Sequence, residues 1–226
     1  MKILLIDDEE GILNLVRMNL ELEGFEVVTS ATGNIGIKKF QDEKPDLVLL
    51  DLMLPDLNGY EVMKRMQQIN REIPIILLTA KGQLNDKLLG LQLGADDYIT
   101  KPFDSREIIL RIRVILRRIN QSKLLNENSE NKIEKGFIKL LKAERKIFID
   151  SVEVQFTFRE FETINLLIQN INKVFTRKEL LEKLWGYDYE GNTRAVDIHI
   201  ERIRKKFKMH GNAIQTIYGA GYRLEV

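Results

Sequence analysis

The sequence predicts a doubly wound α/β domain on a five-stranded parallel sheet, followed by a smaller α+β domain. Three observations predict it. Short β-rich runs alternate with amphipathic stretches over the first half of the 226 residues. The apolar rhythm then lapses at 119–132, INQSKLLNENSENK. Beyond it come short alternating runs, three helical patterns and a glycine-bearing hairpin.

Strands are expected at KILLI (2–6), FEVVTS (25–30), DLVLLD (46–51), IPIILLTA (73–80) and DDYIT (96–100). Apolar runs of this length, bounded by turn residues, suit strands buried on both faces. Between the first two, Ile12, Leu13, Val16 and Leu20 share one helical face over 10–23, and Gly24 ends the helix. Residues 59–70, 84–93 and 104–118 repeat the pattern, with Gly94 as another stop. Five such β/α units imply a parallel sheet covered on both sides. Asn, Ser, Glu and Lys dominate 119–132, which reads as a flexible polar linker or a ragged helix end. GFIKLL, RKIFID and VEVQF then form a small antiparallel sheet, and helices follow at 158–170, 177–185 and 193–208. AIQTIYGAGYRLEV closes the chain as two strands around Gly219 and Gly221. The expected division is therefore 1–118, a linker at 119–132, and 133–226.

Composition removes several classes of function. There is no cysteine, which excludes disulfides and Cys-based metal centres, and two histidines leave little for a His-rich site. The apolar run in MKILLIDDEE is too short for a secretory signal, and no stretch approaches the length of a membrane span. A soluble, cytoplasmic chain is expected. Residues 1–120 hold 16 basic and 19 acidic residues, net −3, while 121–226 hold 19 and 15, net +4. That asymmetry points to different partners for the two halves.

Ligands of open α/β sheets bind beyond the carboxyl ends of the strands. There the first strand ends at Asp7 and Asp8, the third at Asp51, the fourth at Thr79 and the fifth near Lys101. Asp51 therefore sits at the mouth of the fold. Three neighbouring carboxylates repel one another unless a cation lies among them. An oxygen-only set with room for water suits Mg²⁺. Lys101 adds a point charge and Thr79 a hydroxyl, which completes what a phosphoryl group requires. Asp51 would attack phosphorus as a nucleophile. Taken singly, an acid after a strand is an ordinary helix cap and Lys101 a solvated lysine. It is the conjunction of five groups on four strand ends that makes a site.

IDDE, VLLDLMLPDLNG, ILLTAKG and GADDYITKPF resemble the receiver domain of bacterial two-component response regulators, over residues 1–118. The resemblance implies a flavodoxin-like fold and a phosphoryl group accepted on Asp51 from a sensor histidine kinase. Asp8, Asp51 and the Met53 carbonyl would bind Mg²⁺ directly, and Asp7 through water. Thr79 and Lys101 would contact the phosphate. Tyr98 matches the aromatic switch that turns inward with Thr79. The resemblance also implies a homodimer through 84–118, formed on phosphorylation. Its charge pairs would be Lys87 with Glu107, Asp97 with Arg111, and Asp96 with Arg118. Many relatives carry an acid where this chain has Gln92.

In the second half, Val196, Ile200, Ile203 and Phe207 form one stripe of a helix at 194–208 and read as core. The opposite face carries Arg194, Ile198, Glu201, Arg202 and Lys205, with His199 and Lys206 on one flank and Arg204 on the other. Six basic residues against two acidic ones suit phosphates. Helix, connection, helix and hairpin outline a winged helix-turn-helix. FTFREFETINLL, VFTRKELLEKLWG, RAVDIHIERIRKK and IYGAGYRLE resemble the effector domain of OmpR/PhoB-type regulators, over 133–226. By that resemblance 194–208 is the recognition helix in the major groove of double-stranded DNA. Arg202 reaches bases, Arg194, His199 and Arg204 serve phosphates, and Trp185 is core. Direct-repeat promoter sites and contact with RNA polymerase are implied as well. Ile198 touches thymine methyls or packs on the loop at 186–193. Many relatives have a basic residue at Glu201 and an arginine at Tyr218. Glu201 hints at altered base preference, since a carboxylate accepts from cytosine N4, and Tyr218 leaves the wing without a minor-groove arginine.

The whole reads as a phosphorylation-activated transcriptional regulator and not as a turnover enzyme. Two rivals differ in class. An aspartyl-phosphate hydrolase or phosphotransferase would place a spaced DxD pair where this chain has contiguous Asp7 and Asp8. A phospho-switched adaptor would bind protein, not DNA, with its second domain.

Overall fold

The computed structural model describes residues 1–80, 84–124, 131–186 and 193–226, with backbone alone at 80, 84–88 and 118–124. The chain forms two compact units, Met1–Arg113 and Val114–Val226.

The first unit carries strands β1 (Lys2–Ile6), β2 (Glu26–Ser30), β3 (Leu47–Asp51), β4 (Ile75–Ala80) and β5 (Asp97–Lys101). Their order is β2-β1-β3-β4-β5, and every neighbouring pair is parallel. Helices α1 (Glu10–Leu22), α2 (Gly33–Glu43), α3 (Gly59–Ile69), α4 (Leu84–Leu93) and α5 (Ser105–Leu124) follow the strands in turn. Strand order reverses beside β1, so the crevice expected of this topology opens beyond the carboxyl ends of β1 and β3. β3 is buried along its whole length, as its continuous apolar run demands.

Helix α2 was not among the helices traced in the sequence, and its packing shows why. Its buried residues are Gly33, Gly36 and Phe40. A Cβ on Gly36 would lie 2.4 Å from Ile6 Cδ1, and one on Gly33 2.7 Å from Val62 Cγ2. The helix is held largely by close approach, and its inner face sets Ile37 and Phe40 beside the two glycines. Gly59 has a similar role at the mouth of the sheet. A Cβ there would lie 2.4 Å from the Asp51 carbonyl oxygen, so only glycine lets α3 start directly against that strand end.

In the second unit β6 (Lys132–Lys135), β7 (Ile138–Leu141), β8 (Lys146–Ile149) and β9 (Val152–Val154) form an antiparallel sheet. Helices α6 (Phe158–Ile168), α7 (Arg177–Trp185) and α8 (Arg194–Lys206) follow, with β10 (Phe175–Thr176) between the first two. β11 (Ile214–Ile217) and β12 (Gly221–Leu224) make the hairpin, and β10 pairs with β12. Two details differ from expectation. α5 continues to Leu124, so the start of the polar stretch is helical, and β6 opens at Lys132 with a mostly exposed sequence that carries no apolar alternation. The rest of the expected linker, 125–130, lies outside the described residues, as does 187–192 of the loop before α8. Phe158, Phe161, Leu184, Trp185, Val196, Ile200 and Phe207 are buried in the core of this unit. Burial of each such side chain is worth about 1.5–3 kcal/mol.

Candidate functional site

The first unit gathers its chemistry at one rim. Asp7 follows β1 and is fully buried, Asp51 ends β3 and is 3% exposed, and Asp8 is exposed. Each of the three offers a carboxylate oxygen within 4.8 Å of the others. Lys101, at the end of β5, places Nζ 2.8 Å from Asp7 Oδ2, 2.9 Å from Asp51 Oδ2 and 3.2 Å from Glu9 Oε1. The Glu9 amide donates to Asp7 Oδ1 at 3.0 Å, and the Met53 amide to Asp51 Oδ1 at 3.3 Å. Glu9 was not among the residues singled out in the sequence. Its position after the two aspartates was the available signal.

Burial pushes the Asp7 carboxyl above its usual range, against the Lys101 ammonium and the Glu9 amide, and the Asp51 charge adds to the rise. Burial also opposes the Lys101 charge, but its bonds to Asp7 and Asp51 outweigh this and raise its pKa. Thr79 Oγ1, at the end of β4, is buried and lacks a hydrogen-bond partner. An unsatisfied buried hydroxyl costs about 1–3 kcal/mol, so an incoming oxygen would be accepted there. Hard oxygen donors, one of them exposed, fit a divalent cation that keeps part of its water. The fold thus brings Asp7, Asp8, Asp51 and Lys101 together at one rim.

The second unit presents α8 differently from expectation. Val196, Ile200, Ile203 and Phe207 are buried, as the stripe requires. The buried face is wider, however, and takes in Ala195 and His199, with Arg202 half-buried at its edge. His199 is 1% exposed beside the Trp185 ring, and neither ring nitrogen has a hydrogen-bond partner. Burial, helped by Arg202, Arg159 and Lys206, holds its pKa well below the ordinary value, so it is neutral. Arg202 Nη2 lies 2.9 Å from Oε1 of Glu160, a fully buried carboxylate at the start of α6. Lys206 also pairs with Glu160, whose Oε2 accepts from the Thr157 amide at 2.9 Å. Arg204 donates to the Ile214 carbonyl and, at 2.8 Å, to Thr216 Oγ1 of β11.

His199, Arg202 and Arg204 are thus corrected. The first is core, the second is held by a buried acid, and the third ties the helix to the hairpin. The exposed face consists of Arg194, Glu201 and Lys205, with Asp197 and Ile198 half-buried beside it. Asp197, unmarked in the sequence, pairs with Arg177 Nε at 2.7 Å and accepts from Tyr222 Oη at 2.6 Å, which joins α7, α8 and the hairpin. Tyr218, between β11 and β12, is 95% exposed.

Residues 3–113 match the family model of the response regulator receiver domain, and residues 151–224 that of the C-terminal domain of transcriptional regulatory proteins. The alkaline phosphatase synthesis transcriptional regulatory protein PhoP of Bacillus subtilis is 43% identical, over 99% of this chain and 96% of its own. The response regulator SaeR of Staphylococcus epidermidis is 37% identical, over 99% and 97%. The chain is a response regulator of the OmpR/PhoB family. Among solved structures, the Thermotoga maritima OmpR/PhoB homologue DrrB matches it at 32% identity, over 100% of this chain and 99% of that one, with a TM-score of 0.50.

A response regulator with these two domains is a DNA-binding transcriptional regulator, and its family acts in transcription and not as typical enzymes. Receiver domains bind Mg²⁺ at an aspartate cluster, which here is Asp7, Asp8 and Asp51. In this response regulator the surface expected to dimerise needs one further correction. Asp96 is fully buried and accepts from the Ile75 amide at 2.9 Å, so it is no surface charge. Asp97 pairs with Arg111 at 2.8 Å, and Arg111 with Glu107 at 2.5 Å, all within one chain. Lys87 and Arg118 have side chains outside the described residues. Leu89 and Leu93 on α4 and Leu110 on α5 are exposed apolar residues of the same segment that the charge pattern had hidden. Tyr98 is half-buried and packs against the receiver core.

Proposed function

We propose that this response regulator accepts a phosphoryl group on Asp51 from a sensor histidine kinase and thereby gains DNA occupancy. The observation that carries the reading is Asp51 itself, at a sheet mouth with Lys101 at 2.9 Å and the orphaned Thr79 hydroxyl on the next strand. An Asp51 carboxylate oxygen attacks phosphorus, the bond from phosphorus to the donor breaks, and the donor leaves with the electron pair. Asp8, Asp51 and the Met53 carbonyl would hold Mg²⁺, with Asp7 acting through water. Bound there, Mg²⁺ supplies positive charge for the phosphoryl oxygens. Lys101 moves from carboxylate to phosphate, and Thr79 gains its missing partner. Tyr98 follows Thr79 inward.

The added charge of about −1.5 to −2 needs a two-state surface to matter. That surface is α4, β5 and α5, where Glu107 offers charge to the partner copy and Leu89, Leu93 and Leu110 supply apolar area. Arg194, Glu201 and Lys205 of α8 meet DNA, Ile198 lies beside them, and Tyr218 is at the tip of the wing. Direct-repeat promoter sites, contact with RNA polymerase and a cytoplasmic location belong to the same reading. No helix among the described residues is long and apolar enough to cross a membrane.

Two expected results test this. Incubated with Mg²⁺ and a small acyl phosphate, the protein gains one phosphoryl group by intact mass and dimerises by light scattering, whereas Asp51→Asn does neither. Equal labelling of the variant would remove Asp51 as the acceptor. Turnover of a phosphoester substrate would favour the hydrolase. On DNA, Lys205→Ala should weaken binding to all sequences alike and reduce the salt slope by about one unit. An unchanged slope in titrations at several salt concentrations would take Lys205 away from phosphate.

A further inference from the structure

The loop between β3 and α3 is anchored from an unexpected direction. Asp56, in its middle, accepts from the Gly33 amide at 2.8 Å through Oδ1 and from the Asn34 amide at 2.9 Å through Oδ2. These amides open α2. The residue in the N-cap position of that helix, Thr32, makes no side-chain capping bond, and its buried hydroxyl has no partner. The cap of α2 is therefore supplied by the loop that follows Asp51, from a residue distant in sequence. The fit is close: a Cβ on Gly33 would lie 3.2 Å from Leu57 Cβ. Burial works against the Asp56 charge, but the surrounding amides outweigh it and hold its carboxyl below the usual range.

The rest of the loop is tied to the site and to α3. The Met53 amide donates to Asp51 Oδ1, Met53 and Asn58 form an isolated bridge, and Asn58 Oδ1 accepts from the Tyr60 amide at 2.9 Å. Asp56 is thus the tie that fixes the middle of the loop to a neighbouring helix. We infer that Asp56 is a positioning residue for phosphoryl acceptance, using the α2 N-terminus as an abutment that holds Met53 in place beside Asp51. This rests on Asp51 being the acceptor. It also gives α2 a second task, since movement of its first turn is transmitted to the loop through two charge-assisted bonds.

The test uses the full chain, with Asp56→Ala and the double variant Asp56→Ala with Thr32→Asp. The added aspartate gives α2 a cap of its own without restoring the tether. In metal-free protein, amide exchange over Met53–Leu57 should quicken severalfold in Asp56→Ala and stay fast in the double variant, while exchange in the first turn of α2 recovers. With an acyl phosphate, both variants should need severalfold more Mg²⁺ for half-maximal labelling, with little change in the maximal rate. Wild-type loop exchange and Mg²⁺ dependence in Asp56→Ala would overturn the inference. So would full recovery of both in the double variant, because Asp56 would then be a cap and nothing more. If the wild type itself takes no label, the acceptor reading fails first and the inference falls with it.

Discussion

Glu160→Ala is expected to cost the second unit about 3–5 kcal/mol, the range for breaking a buried ion pair by removing one partner. Glu160 is fully buried and engages Arg202, Lys206 and the Thr157 amide. Its loss removes the buried carboxylate that Arg202 and Lys206 of α8 both face. The single tryptophan of the chain, Trp185, is 3% exposed in the core of this unit, so its fluorescence in a denaturant titration reports here. Glu160→Gln keeps an acceptor for the Thr157 amide and should cost less. Because Arg202 faces Glu160, Arg202→Ala should lower affinity for every DNA sequence through the fold, without relaxing preference at one base pair. A loss below about 1 kcal/mol in Glu160→Ala, the scale of exposed pairs, would mean that water reaches this carboxylate and that α8 is oriented by other contacts.

Acid should weaken the same unit through His199. The imidazole is 1% exposed with both nitrogens unpartnered, and its folded-state pKa lies well below its ordinary 6.5. Above that ordinary value both folded and unfolded forms are neutral, and the group has no effect on stability. As pH falls below it, the unfolded chain binds a proton that the folded chain refuses. Stability then drops by up to about 1.4 kcal/mol per pH unit until the folded-state pKa is reached. His199→Leu fills the site with an apolar group and should flatten this part of the pH profile. Trp185 fluorescence in denaturant at a series of pH values gives the comparison. Equal slopes in wild type and His199→Leu would show that the ring finds a proton acceptor in the folded state.

These two residues also show what could be read in advance. β1, β3 and β4 were legible because a strand buried on both faces needs a continuous apolar run. The acidic rim was legible because parallel topology brings the ends of β1, β3, β4 and β5 together. The core stripe of α8 was legible too, but not its width. Ala195, His199, Arg202 and Lys206 recur at helical spacing on the flank of that stripe. Three of them are polar, and polar residues count as outward in any periodicity argument. They turn inward because Glu160 on α6 receives two of them, a pairing across 42 and 46 residues of sequence. Asp96 and Asp97 failed for a related reason. Adjacent acids look alike in a sequence, yet one accepts from the Ile75 backbone and the other faces Arg111. Helix α2 escaped because two of its three buried positions are glycines, fitted to Ile6 and Val62.

Phosphoryl acceptance on Asp51 and DNA occupancy are tested together by one titration. A genomic fragment recovered with the acyl-phosphate-treated protein is titrated with wild type and with Asp51→Asn, each with and without the phosphoryl donor, at fixed salt and Mg²⁺. The expected result is tighter binding of the treated wild type alone, with both untreated proteins and the treated variant equal and weaker. Tightening of Asp51→Asn to the same degree, or labelled wild type that binds no better than unlabelled, would contradict a switch operated from Asp51.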